Sequence, residues 1–223
     1  MLSALYGLSI VFLAIFLARF DYLSLPSIHN FPLLIASTLC LMASLAIDIR
    51  VWSSVGKGLA FPPVTLRTHL AAMGFSIFGK YLPGKVWLVV GRAGYLAQHG
   101  PWSGEQATNV ALVGQILALV VGLVLGAMTF ASLDVPLYWG VGAGVLALGG
   151  LIALLHPRAL SVVSFIVKKV LRRSLSMQLP PRGKLISSAT AAVLFWLGLG
   201  LSFWMMGESA GISLSVPTAT LAF

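Results

Sequence analysis

Five stretches of this chain, 2–18, 31–47, 106–131, 136–155 and 185–206, contain no charged side chain, and each reaches the roughly 17 residues that a bilayer-crossing helix needs. An apolar run in hydrocarbon has no water to bond its N–H and C=O groups, so it must bond them within itself, as a helix. Hydrophobic residues make up 59% of the chain and charged residues 9%, whereas a soluble domain carries about 25% charged residues. A water-facing surface cannot be built from such a composition. The predicted fold class is therefore all-α, a polytopic integral membrane helix bundle. A further apolar run starts at Ala210 and reaches Phe223, a partial span only.

The formal net charge of +9 does not point to nucleic acid, because the cations lie between or beside the apolar runs. Anionic lipid headgroups and the positive-inside bias account for them. Cys40 is the single cysteine, and His29, His69, His99 and His156 have no ligand spacing. No disulfide within the chain, metal site or cofactor is expected. Residues 1–18 lack the basic start of a signal peptide, which marks the first run as a retained span.

Residues 66–97 interrupt the pattern. They place Lys80, Lys85 and Arg92 in an apolar setting broken by Pro83-Gly84, where proline ends a continuous helix. The limb from Lys85 to Ala97 would be about 20 Å long, too short to cross. A re-entrant helical hairpin is predicted, entering and leaving on one face. Charge parity agrees: Arg158, Lys168, Lys169, Arg172, Arg173, Arg182 and Lys184 lie in one acid-free loop. That loop and the N-terminus share the cytoplasmic side only if the hairpin returns to the face it entered. Within the loop, 158–175 reads as an amphipathic surface helix, with Leu160, Val163, Val167, Val170 and Leu171 on one face and Lys168, Lys169, Arg172 and Arg173 on the other.

A cation at mid-bilayer costs about 2.5–3.5 kcal/mol, and the hairpin itself holds no acid to offset three of them. The remaining compensation is an anionic guest. Lys85 falls in the first turn of the second limb and Arg92 lies seven residues on, on nearly the same face. A helix N-terminus with flanking cations suits a phosphate-bearing headgroup. Tyr81 and Trp87 are placed to stack on a sugar or anchor an interface, and Gln115 to line the cavity from the next helix, with Thr108 and Asn109 near it. The candidate headgroup site is thus Lys80, Tyr81, Pro83, Gly84, Lys85, Trp87, Arg92 and Gln115.

The run Lys80-Tyr-Leu-Pro-Gly-Lys-Val-Trp87, then Gly91-Arg92, a short linker and a long apolar helix, resembles the lysylphosphatidylglycerol synthase transmembrane region, also called the flippase-like domain family. The specific part of the resemblance covers Phe75–Gly100. It implies a multi-pass protein of a prokaryotic plasma membrane, its N-terminus cytoplasmic, that binds and translocates an anionic phospholipid or polyprenyl-linked glycolipid, with a glycosyltransferase as a possible partner. The long helix after the motif often carries an acid in that family, where this chain has Gln115. Family members also continue into a second hairpin, so the resemblance implies a C-terminally truncated chain. A membrane-embedded transferase or hydrolase, or a non-catalytic membrane subunit of a glycosyltransferase system, are the alternatives. Catalysis is disfavoured because Asp21, Asp48, Glu105, Asp134 and Glu208 all fall at predicted span ends without paired spacing. His69 and His99 are the only candidate general bases.

Overall fold

The computed structural model describes residues 27–77, 86–130, 137–155 and 178–213, with scattered helical positions between residues 10 and 19. Their regular secondary structure is all helical, with no strand among the described residues. The helices are α1 (Phe31–Gly58), α2 (Leu66–Ile77), α3 (Val86–His99), α4 (Gly104–Phe130), α5 (Leu137–Leu155) and α6 (Arg182–Ser209). Three are long and apolar enough to cross a membrane: α1, α4 as far as Met128, and α6. The predicted surface helix at 158–175, the span at 2–18 and nearly all of the partial span from Ala210 lie outside the described residues.

Local chemistry sets the helix ends. Asn30 caps α1, its side-chain oxygen accepting from the Leu33 N–H at 3.0 Å, with proline in the first turn. Ser103 and Gln106 form a reciprocal capping box at the start of α4: the Gln106 N–H donates to Ser103 Oγ at 3.2 Å and the Ser103 N–H to Gln106 Oε1 at 3.0 Å. Helix α6 ends in a Schellman motif, with Gly211 at φ 76° and the Ile212 N–H donating back to Gly207 O at 3.0 Å.

Helices α1 and α6 form an antiparallel pair with a polar seam. Ser37 and Ser202 each donate a hydroxyl to the other's carbonyl, at 2.8 and 2.9 Å. Cys40 Sγ lies 3.4 Å from Gly198 O, and Ser188 Oγ lies 3.4 Å from Val51 O. Small residues let two helices approach where lipid offers no hydrophobic drive to associate. The outer faces, including Ile35, Leu39, Val145 and Leu194, are exposed and apolar, as a bilayer solvent requires.

α2 and α3 pack against each other as a folded-back pair, with Phe75 and Tyr95 rings 5.8 Å apart. At 12 and 14 residues, the limbs are about 18 and 21 Å long, against a hydrocarbon core near 30 Å. The chain entering α2 and the chain leaving α3 meet where Trp102 Nε1 donates to Pro62 O at 2.7 Å. Both hairpin ends therefore sit at the Gly58 end of α1.

α1 runs through Asp48 and Arg50 to Gly58, beyond the predicted end at Ile47. The sequence reading stops the span at its first charge, but Asp48 is neutralised by a residue far along the chain. Asp48 is thus a mid-helix residue, about 26 Å from Phe31 and 15 Å from Gly58, which corrects its predicted place at a span end.

Candidate functional site

A core of buried side chains fills the space where α1, α3 and α4 meet, including Trp52, Val55, Leu96, Val110 and Leu117. Arg92 enters this core at 3% exposure. Its Nη1 donates to Asp48 Oδ2 at 2.7 Å. Its guanidinium carbon lies 3.6 Å from the centre of the Trp52 ring, a cation–π stack. Asp48 and Trp52 are one helical turn apart, so a single face of α1 supplies both. Gly114 of α4 lies opposite, where a Cβ would sit 3.5 Å from the indole, at ordinary van der Waals contact.

Arg92 thus has an acidic partner, which corrects the expectation that its burial is uncompensated. Compensation is partial. Arg92 Nε and Nη2 are buried with no hydrogen-bond partner among the described residues. These two donors share one edge of the guanidinium, the fork that grips two oxygens of a phosphate or carboxylate.

His69, at 2% exposure, has both ring nitrogens buried and without a hydrogen-bond partner. Its ring meets Trp102 edge-on at 5.9 Å, and Phe61 meets the same indole at 6.3 Å. His69 serves here as an aromatic packing residue at the hairpin's open end. His99 is exposed and stacks on Tyr95 at 4.2 Å.

The other predicted site residues are placed as follows. Trp87 is exposed on α3, about 140° round the helix from Arg92. Gln115 is half-buried, next to Gly114 on α4. Lys80, Tyr81, Pro83, Gly84 and Lys85 lie outside the described residues. Thr108 spends its hydroxyl on its own helix, donating to Gly104 O at 2.7 Å. Asn109 is the residue that bridges elements, with Nδ2 donating to Gln178 O and Oδ1 accepting from Gln178 N, both at 3.1 Å. The glycines admit side chains more than backbones. A Cβ on Gly122 would fall 2.8 Å from the Trp196 ring, whose Nε1 donates to Ala118 O at 2.8 Å. Gly150 receives Val120, whereas Gly144 and Gly149 face open space.

Asp48 and Trp52 are the site residues that sequence reasoning missed. Their one signal is an acid four residues before a tryptophan, one helical turn, past the end of a charge-free run. In comparisons with protein families, curated proteins and solved structures, nothing matches this chain.

Proposed function

We propose that this chain is a flippase-like membrane protein that binds a lipid with an anionic or glycosylated headgroup and carries it across the bilayer. The hairpin α2–α3 is the element that handles the headgroup. The observation that supports this most is the half-satisfied guanidinium. Arg92 is held by Asp48 and Trp52, yet its Nε–Nη2 edge has no hydrogen-bond partner among the described residues. A purely structural arginine would be expected to use its whole fork, since an unpaired buried donor costs about 1–3 kcal/mol. Lys80 and Lys85, in the eight residues 78–85 that join α2 to α3, add the charge that Asp48 removes from Arg92. An anionic phospholipid or polyprenyl-linked glycolipid provides the matching oxygens.

Orientation follows from the cations. Lys57 and Arg67 belong to the end of the bundle where α1 stops and α2 starts, and Gly58 packs against Pro180 and Lys184 there. By the positive-inside bias this end is cytoplasmic, in keeping with a plasma membrane protein.

The test is transbilayer movement of a fluorescent phosphatidylglycerol in phosphatidylcholine vesicles carrying the purified chain, read by dithionite quenching. The expected result is movement above that of protein-free vesicles, lowered about tenfold by Lys80→Gln/Lys85→Gln, as loss of charge-assisted contacts implies. Movement no faster than in protein-free vesicles, for this lipid and for a polyprenyl-phosphate glycolipid, would overturn the proposal.

A further inference from the structure

On the far side of α1 from the ion pair, a groove of about 620 Å³ opens between α1 and α6. Its lining changes character with depth. Ser54 and Ser187 lie nearest the Gly58 end, Arg50 and Thr190 come next, and Ala46 and Leu194 lie deepest. Arg50 is two residues from Asp48, about 200° round the helix, so it faces away from Arg92. The one ion pair among the described residues joins Arg92 to Asp48, and it leaves Arg50 without an acid.

We infer that this groove is a second lipid site, which holds one anionic glycerophospholipid of the surrounding leaflet with its phosphate on Arg50 and an acyl chain along Ala46 and Leu194.

The depth fits. α1 and α6 have 28 residues each, about 42 Å, which exceeds the hydrocarbon core by roughly 12 Å. Shared between the two ends, that overhang puts the Arg50 backbone about 6 Å inside the hydrocarbon boundary. A side chain extended toward the Gly58 end then brings its guanidinium to the headgroup layer, beside Ser54 and Ser187. The hydroxyls suit the role. Ser53 and Thr190 donate to carbonyls of their own helices, Arg50 O at 3.3 Å and Ile186 O at 3.1 Å. Ser54 and Ser187 form no such bond among the described residues, which leaves both hydroxyls to donate to phosphate or ester oxygens. The charge argues for this occupant over the chain's own basic segment 158–175, which would bring more cations to a cation. The site is independent of the hairpin proposal, since it shares no residue with it.

The experiment is native mass spectrometry of the full chain incubated with equal amounts of phosphatidylglycerol and phosphatidylcholine. It is run in the Lys80→Gln/Lys85→Gln background so that the two hairpin lysines do not contribute. Expected is about tenfold preferential retention of phosphatidylglycerol, falling to no preference in Arg50→Gln and to an intermediate value in Arg50→Lys, which keeps the charge but not the fork. Leu194→Trp, which fills the apolar half, should lower retention of both lipids. A phosphatidylglycerol preference unchanged by Arg50→Gln, or absent from the parent protein, would overturn the inference. So would a dimer that dissociates in Leu194→Trp, because the occupant would then be a second copy of the chain.

Discussion

A guanidinium at 3% exposure in an apolar bundle persists because α1 supplies both an anion and an aromatic face one turn apart. The two contacts are not equivalent. Losing one partner of a buried pair leaves the other charge uncompensated and costs about 3–5 kcal/mol, whereas removing both leaves no unpaired charge and costs less than the two losses added. Asp48→Asn and Arg92→Gln should therefore each destabilise the protein strongly in detergent unfolding experiments, with the double variant about 1–3 kcal/mol better than the sum of the two. Additive losses would show that the 2.7 Å contact carries no coupling. Arg92→Lys separates stability from function. It keeps a charge for Asp48 but has no fork, so it should fold near normally and still lose most lipid movement. Lipid movement at the wild-type rate in Arg92→Lys would assign the arginine to packing alone.

At the scale of the elements, much was legible because the physics is local. Long charge-free runs dictate helices, and Pro83-Gly84 with two short limbs dictates a fold-back. Two features were not legible. The continuation of α1 past Ile47 depends on Arg92, which lies 44 residues from Asp48, and no local pattern encodes that meeting. The end of α1 is hidden for a different reason. It is a Schellman motif, with the Phe61 N–H donating to Gly56 O at 3.0 Å and the Ala60 N–H to Lys57 O at 3.2 Å, but the left-handed position is occupied by Ala60 at φ 57°. Alanine there is strained where glycine is not. Ala60→Gly should therefore stabilise the protein by about 0.5–1 kcal/mol, since relief of strain exceeds the entropy that glycine adds to the unfolded chain. A lower melting temperature for this variant would mean that the turn is set by tertiary contacts rather than by its own backbone.

For the whole molecule, the decisive relation is which ends lie together. Trp102 joins the exit of α3 to Pro62 before α2 and to Gly56 near the end of α1, while Asn109 ties the start of α4 to Gln178 ahead of α6. At the opposite end, the His29 N–H donates to Ser209 O at 2.8 Å, which closes the antiparallel pair α1–α6. The two ends of the hairpin therefore lie together at the Gly58 end of α1, the arrangement that the charge parity of the sequence calls for. A hairpin opened into a single crossing would separate Trp102 from Pro62 and strip the core of Leu96 and Ala93 at once. This arrangement predicts a labelling pattern. In a Cys40→Ser background, single cysteines replacing Lys57 and Gln98, both exposed, should react with an impermeant thiol reagent from one side of the membrane only. A cysteine replacing Ser27 should react only from the other side, and by the positive-inside bias the Lys57 side should be the cytoplasm. If the Lys57 and Gln98 positions labelled from opposite sides, α2–α3 would have to cross the bilayer despite limbs of 12 and 14 residues, and the headgroup site proposed at its turn would fall with it.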